Sequence, residues 1–177
     1  MTLITAHSGQ QVDIESPKAE TICIEDIAHA LSFLCRGSGQ ANIFFSVARH
    51  CVCCAREAMA QELSREVILA CLLHDASEAY MTDVPKPIKD NLIPQYRTYE
   101  DALLGVIYEK FVGRALTEEE LAQVALIDRL LLQYDLRYLL NMDVELPEIH
   151  IPLNYEYIPF ETAREDYLTL FRELTEG

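Results

Sequence analysis

A chain of 177 residues in which 50% of the side chains are hydrophobic is long enough for one well-packed domain and short for two. Its formal net charge of -15 argues against a nucleic-acid polymer as partner, because a phosphate backbone is bound by a clustered basic surface, whereas a small nucleotide stays compatible with that charge. The chain has 6 cysteines but neither a signal peptide nor an apolar run long enough to cross a membrane, which predicts a cytoplasmic protein without a membrane partner.

The start of the chain differs from the rest. The strings LIT and QVDI flank AHSGQ and predict a small β-hairpin, after which Pro17 leads into a helix over about 25–35. Beyond this point the hydrophobic pattern is helical, and further helices are predicted at about 96–112 and 160–174. We therefore predict an all-α fold, a helical bundle with a short N-terminal β-hairpin.

Three helical segments carry ionisable side chains on otherwise apolar stripes. The segments are predicted at 42–59, 65–80 and 118–142. The side chains are His50, His74, Asp75 and Asp128. A charge that faces a packed interior is costly unless it is paired or bound to a metal, so the four groups predict a shared divalent cation. The alternative for a single histidine such as His50 is a hydrogen-bonded core residue.

Helix caps support two of these segments. Ser64 is placed to cap the helix that carries His74, and Thr117 with Glu120 forms a capping box for the helix that carries Asp128. The caps therefore predict where both helices begin, in addition to the hydrophobic periodicity.

Two irregular segments follow the helices. The prolines of DVPKPIKDNLIP end the third helix just beyond Glu78, so this loop is expected to emerge beside the inferred metal as a lid or a phosphate-contacting segment. The stretch 147–159 is long, irregular and tyrosine-bearing, and it either covers the site or meets another subunit.

Cys51 and Cys54 have CxxC spacing, which occurs in zinc sites and in redox-active disulfides. No second cysteine pair follows, and both residues lie inside a helical pattern. We therefore predict that they pack in the core as small apolar side chains.

The order of these groups, a lone His, a His-Asp pair and a distant Asp on an apolar helix, resembles the HD-domain metal-dependent phosphohydrolases, an all-helical superfamily. IEDIAHALSFLCRGSGQ, FFSVARH, LLHDASEAYMTDVPKPIK and LIDRLLL span about 22–132. They are similar to strings of the small bacterial and phage-encoded members related to 5'-deoxynucleotidases. The resemblance implies a single HD domain over 1–177, with its core at about 22–142 and a C-terminal loop and helix at 143–177.

The resemblance also implies roles for individual residues. The metal ligands would be His50, His74, Asp75 and Asp128. Glu78 would position or activate the attacking water, and it shares a helix face with His74, four residues earlier; the alternative for it is a solvated surface carboxylate. Arg36, Lys86 and Lys89 are the candidates for binding phosphate, and the alternative for each is a solvated surface cation.

Two imidazoles and two carboxylates suit Mn²⁺, Co²⁺, Fe²⁺ or Zn²⁺ better than Mg²⁺. HD-domain relatives with two metals carry extra histidines between the His-Asp pair and the final Asp, whereas His7, His29 and His150 lie outside that interval, so one divalent metal ion is predicted. His29 is expected in a structural helix. Asp83 and Asp135 are expected to support the ligands; the alternatives are a turn residue and a helix-surface residue.

The function that the resemblance implies is metal-dependent hydrolysis of a phosphate ester, first of all by a 5'-nucleotidase acting on deoxyribonucleoside 5'-monophosphates. Two enzyme alternatives are a deoxynucleoside triphosphate triphosphohydrolase and a hydrolase of another small phosphorylated metabolite. The alternative from another class is a non-catalytic nucleotide or metal sensor, which would have no need of the water-activating carboxylate of Glu78. Relatives are often dimers or larger, so a homo-oligomer is expected by analogy.

Overall fold

The chain begins with a two-stranded antiparallel sheet, in which β1 (Leu3–Thr5) pairs with β2 (Gln11–Asp13). Val12 is fully buried while the residues on either side of it are more exposed, as the alternation of a half-buried strand requires. The backbone N–H and the hydroxyl of Ser8 each donate to the carboxylate of Asp26 at 2.7 Å, which fixes the hairpin to the first helix. The predicted hairpin is confirmed in this computed structural model, which describes residues 1–176.

Helices make up most of the remaining chain. They are α1 (Ile24–Phe33), α2 (Val47–Ala60), α3 (Arg65–Leu73), α4 (Glu78–Met81), α5 (Lys86–Asn91), α6 (Gln95–Val112), α7 (Glu118–Leu139) and α8 (Phe160–Glu176). Short 3-10 helices lie at Ala19–Thr21 and Arg36–Gly39. The predicted all-α fold with a short hairpin is confirmed. Within residues 1–176, none of the helices has both the length and the apolar character that a bilayer crossing needs.

Helix α2 lies at the centre of the bundle and packs against α1, α3, α7 and α8. Its inward faces carry small side chains such as Ala48, Cys51 and Ala55, all fully buried. Small side chains allow neighbouring helices to approach closely on several sides. A polar group on α2 is therefore surrounded by other helices, and this is the position of His50.

The predicted caps are present. The Ser64 hydroxyl accepts a hydrogen bond from the Val67 N–H at 3.3 Å, at the start of α3. Thr117 and Glu120 form the complete capping box of α7, each side chain accepting from the backbone N–H of the other. A cap of this kind contributes about 1 kcal/mol to stability.

The predicted start of the second helix, at residue 42, is wrong. Helix α2 begins at Val47, because Ser46 is extended (φ -77°, ψ 154°) and its side chain accepts a hydrogen bond from the Arg49 N–H. Ser46 also forms an isolated antiparallel bridge with Cys35, so an extended connection precedes the helix.

The helix predicted over 65–80 is interrupted. α3 ends at Leu73 and α4 begins only at Glu78. Between them the Ala76 N–H donates to Leu73 O and the Glu78 N–H to Asp75 O, a three-residue step that is tighter than the α-helical one. The His-Asp pair therefore lies in turns at the end of a helix.

The stretch 147–159 is irregular, as predicted, and a buried carboxylate fixes it to α2. Glu57 is fully buried and accepts hydrogen bonds from the backbone N–H and the Nδ1 of His150, at 2.9 and 2.8 Å. It also accepts from the Ile151 N–H at 3.2 Å and from Gln61 Nε2 at 2.8 Å. Such a fully satisfied carboxylate holds the segment against α2.

Candidate metal centre

Three parts of the fold bring the predicted ligands to one place. His50 lies in α2 and Asp128 in α7, while His74 and Asp75 lie in the turns that follow α3. Because α2 packs against both α3 and α7, these side chains converge. The ring centroids of His50 and His74 are 5.3 Å apart. The structure thus brings His50, His74 and Asp128 into one group, and Asp75 lies beside His74 in a second group that shares this histidine.

The donor atoms are separated by distances that one ion can span. His50 Nε2 is 3.0 Å from Asp128 Oδ1, and His74 Nε2 is 3.5 Å from the same oxygen. His74 Nε2 is also 3.3 Å from Asp75 Oδ2. Two ligand atoms that each lie about 2.1 Å from a metal ion are about 3.0 Å apart at a right angle and about 3.4 Å apart at the tetrahedral angle. The three separations fit the ligands of a single ion.

The partner of the other ring nitrogen turns His74 Nε2 into an acceptor. His74 Nδ1 lies 2.8 Å from the carbonyl oxygen of Cys71, so Nδ1 is assigned as the N–H donor and the neutral ring presents the lone pair of Nε2 to the carboxylates. His50 faces a carboxylate with each ring nitrogen, Nε2 at 3.0 Å from Asp128 Oδ1 and Nδ1 at 2.9 Å from Asp135 Oδ2. His74 Nε2 is buried and has no hydrogen-bond partner among residues 1–176. Lone pairs that face carboxylate oxygens repel them unless a cation lies between.

The electrostatics of the cluster show the same need for positive charge. Burial lowers the pKa of His74, but the charges of Asp75 and Cys51 and hydrogen bonds to Asp128 and Asp75 together outweigh it, so this pKa lies well above the usual value. Burial raises the pKa of Asp75, but His74 and Arg36 together more than offset that and the pKa falls to about 2. The two shifts show that the negative charges of the cluster favour a cation at this place. His50, Cys54, His74 and Asp128 form one group that could hold a metal ion, and Cys51, His74 and Asp75 form a second.

Glu78 is the first residue of α4 and is only 5% exposed. Its Oε1 lies 3.5 Å from Lys89 Nζ, and its Oε2 has no hydrogen-bond partner in the described part of the chain. Burial, together with the charges of Asp75 and Asp83, raises the pKa of Glu78 to about 9. A dication bound nearby would favour the ionised form of this carboxyl. Glu78 is thus no solvated surface carboxylate.

A cavity of about 570 Å³ opens over the cluster, within the size range of small-molecule sites. Asp75, Glu78 and Asp128 line one part of it. Asp128 was predicted to face a packed interior, and this is wrong, because its side chain is 39% exposed and borders the cavity. Ligand atoms that reach such a cavity can share their ion with a small molecule.

The lining of the cavity is both apolar and basic. Its apolar residues include four leucines near the end of α7, namely Leu132, Leu136, Leu139 and Leu140. The cations that line the cavity are Arg36, Lys86, Lys89 and Arg97. An apolar wall beside convergent charges suits a ligand with one ring-like end and one anionic end.

The three predicted phosphate-binding residues differ in their surroundings. Arg36 is largely buried, with Nη1 3.4 Å from Asp75 Oδ2 and Nε 3.2 Å from Asp135 Oδ2. Lys89 is buried, and its ammonium contacts Glu100 as well as Glu78. For these two the alternative of a solvated surface cation is wrong. Lys86 is exposed, at the rim of the cavity.

The two predicted supporting aspartates also differ. Asp135 is 6% exposed and contacts both His50 and Arg36, so the helix-surface alternative is wrong for it. Asp83 lines the cavity, and its backbone carbonyl accepts a hydrogen bond from Ser38 at 3.4 Å. His29 lies away from the ligands, half-buried in α1 and stacked on His7 with 3.6 Å between ring centroids.

Sequence reasoning missed three residues near the site. Arg97 lines the cavity from α6 and pairs with Asp90, and no motif marks it. The Tyr155 hydroxyl donates to Asp135 Oδ1 at 3.0 Å, so the irregular stretch 147–159 reaches the group that supports His50. Cys54 is buried as predicted, but its Sγ lies 3.4 Å from His50 Nε2. Its spacing of one helical turn from the histidine was the available signal.

No family model matches the chain. It is 38% identical over 111 residues to the uncharacterised protein YfdR of Escherichia coli, an alignment that covers 63% of this chain and 59% of that protein. It is 34% identical over 109 residues to an uncharacterised protein of Rhodobacter capsulatus, over 59% of this chain and 55% of that one. The chain thus spans less than two thirds of the length of these curated relatives.

Proposed function

We propose that the chain is a metal-dependent phosphohydrolase of the HD-domain type whose substrates are deoxyribonucleoside 5'-monophosphates. The observation that carries this proposal is the pair of imidazole Nε2 atoms that face two carboxylates beneath a cavity of nucleotide size. When bound by His50, His74, Asp75 and Asp128, a dication supplies Lewis-acid chemistry, polarising a phosphate oxygen and lowering the pKa of a water.

In this proposal Glu78 directs the attacking water. It lines the same cavity as Asp75 and Asp128, and buried surroundings restrict its side chain. Lys89 Nζ, 3.5 Å from one carboxylate oxygen, leaves the other oxygen to accept a hydrogen bond from a water. A carboxylate in this position orients the water for in-line attack and takes its proton.

The basic residues of the cavity offset the charge of the phosphate. Arg36 and Lys89 are held in place by carboxylates, so they act as fixed positive charges on the wall. Lys86 and Arg97 lie farther out and can bind oxygens of the phosphate more freely. The leucines of α7 are placed to contact the sugar and base.

The decisive experiment measures the products formed by metal-stripped protein after addition of Mn²⁺, Co²⁺ or Zn²⁺. A panel of dNMPs, NMPs and dNTPs separates the candidate reactions, because a nucleotidase releases inorganic phosphate from a dNMP and a triphosphohydrolase releases tripolyphosphate from a dNTP. We expect release of inorganic phosphate from dNMPs when metal is added, and no release of phosphate without metal. Nucleotide binding without turnover under any metal would indicate the sensor function instead.

A variant pair tests the role of Glu78. Glu78→Gln should lower kcat by about 10²- to 10⁴-fold, as expected for loss of a general base, while it still binds metal. Glu109→Gln, an exposed carboxylate on α6, is the matched control and should leave kcat unchanged. Equal rates for both variants would remove Glu78 from the reaction.

A further inference from the structure

Cys54 shares its helix face with His50. It lies four residues after the histidine on α2, so the two side chains stack on consecutive turns. Its side chain is almost fully buried, and its Sγ is 3.4 Å from His50 Nε2. One donor atom each from His50, Cys54, His74 and Asp128 lies within 4.8 Å of the other three. The thiol therefore belongs to the same cluster as three of the predicted ligands.

We propose that the thiolate of Cys54 is a ligand of the metal ion, together with His50, His74 and Asp128. This inference rests on the proposed metal site and adds to it a sulfur donor that comes from the core. A second observation points to an ion at this place. His74 Nε2 belongs to a side chain that is only 9% exposed, and it has no hydrogen-bond partner in the described chain.

The separation of sulfur and nitrogen fits a shared ion. Zn–N bonds of about 2.1 Å and Zn–S bonds of about 2.3 Å place the two atoms about 3.1 Å apart at a right angle and about 3.6 Å apart at the tetrahedral angle. The 3.4 Å between Cys54 Sγ and His50 Nε2 lies between these limits. The ion would bind the thiolate, and the thiol proton would leave to the buffer.

The charges in the cluster balance with this ligand set. A dication with the carboxylate of Asp128 and the thiolate of Cys54 has no net charge. Asp75 is compensated separately, because its Oδ2 lies 3.4 Å from Arg36 Nη1. Asp75 lines the cavity, whereas Cys54 packs within the hydrophobic core, so the two side chains approach the cluster from different sides.

A sulfur ligand changes which ions the site prefers. Thiolates favour Zn²⁺ and Co²⁺ over Mn²⁺ and Mg²⁺, which are better served by oxygen donors. The preference of the site for Zn²⁺ over Mn²⁺ should therefore be larger than that of a site with only nitrogen and oxygen donors. Cys51 is the nearest competitor for this role, because it forms a similar group with His74 and Asp75.

The test is a spectroscopic titration of the metal-stripped full chain with Co²⁺ in the absence of oxygen. Visible d–d bands report that Co²⁺ is bound, and a near-ultraviolet thiolate-to-Co²⁺ charge-transfer band reports a Co–S bond. The wild-type protein should show both and release the thiol proton. Cys54→Ser should keep its helical circular dichroism, lose the charge-transfer band, and bind Co²⁺ about 10- to 100-fold more weakly.

Matched variants separate the outcomes. Cys53 is next to Cys54 in the chain but lies on another face of α2, so Cys53→Ser should keep the charge-transfer band. Cys51→Ser should keep this band as well. A band lost only in Cys51→Ser would overturn the assignment to Cys54. Wild-type d–d bands without a charge-transfer band would exclude a sulfur ligand and leave the metal site intact. Absence of d–d bands would contradict the metal site itself, and with it the proposed function.

Discussion

Removing the charge of Asp135 tests how the site holds His50. Asp135 Oδ2 lies 2.9 Å from His50 Nδ1 and 3.2 Å from Arg36 Nε, and its Oδ1 accepts from the Tyr155 hydroxyl at 3.0 Å. Asp135→Asn keeps the shape and removes the charge. A hydrogen bond to a charged group is worth about 1 kcal/mol more than a neutral one, so with 3 such contacts the metal-free protein should lose about 3 kcal/mol of unfolding free energy.

The same substitution should weaken metal binding. Loss of the partner that orients a histidine ligand typically lowers metal affinity by about 10- to 100-fold. Chemical denaturation in EDTA measures the stability, and a competitive chelator titration measures the affinity. Asp143→Asn is the control, because that carboxylate is 98% exposed beside Arg137 and should change stability by less than about 1 kcal/mol. A folded Asp135→Asn variant with wild-type metal affinity would refute the idea that Asp135 orients His50 as a ligand.

Further predictions concern metal, pH and capping. Metal at about 100 times its Kd should raise the unfolding free energy by about 2.7 kcal/mol, with reversal by EDTA; an unchanged Tm would contradict specific binding. Burial raises the pKa of Glu57, but hydrogen bonds from Gln61 and His150 outweigh burial and hold this pKa below the ordinary 4.5. The stability that ionised Glu57 contributes is therefore present above pH 4.5 and lost as pH falls through the depressed pKa. Denaturation midpoints across that range should fall more steeply for the wild type than for Glu57→Gln, and parallel curves would exclude this linkage. Thr117→Ala removes half of the capping box with Glu120 and should lower the free energy of thermal unfolding by about 1 kcal/mol. A loss smaller than that of an alanine substitution at a helix position without a cap would show that the box contributes little.

Local patterns predict much of this fold. The hairpin follows from alternation around a turn, and the caps at Ser64 and Thr117 follow from hydrogen bonds within one helical turn. The four predicted ligands could be proposed from the sequence because ionisable groups on apolar stripes are costly without a partner. In each case the deciding interaction joins residues close together in the chain, or follows from the cost of burying a charge.

The parts that the sequence did not predict depend on tertiary contacts. No glycine or proline marks the turns between α3 and α4, so periodicity alone continues the helix through His74. Arg36 and Asp135 are 99 residues apart in sequence, and Tyr155 joins them from an irregular segment. The exposure of Asp128 depends on a cavity formed by distant helices. Cys54 is different, because its spacing from His50 was visible and core packing explained it equally well.

Anomalous diffraction from crystals of the protein grown with Zn²⁺ or Co²⁺ would locate the shared ion itself. One strong peak per chain is expected, about 2.0 to 2.3 Å from His50 Nε2, His74 Nε2 and Asp128 Oδ1. The same preparation should contain one equivalent of metal, and His74→Ala should contain none. A peak elsewhere would contradict a shared ion at this place. Imidazoles that pair directly with the aspartates, without metal, at a saturating concentration of the ion would contradict it as well.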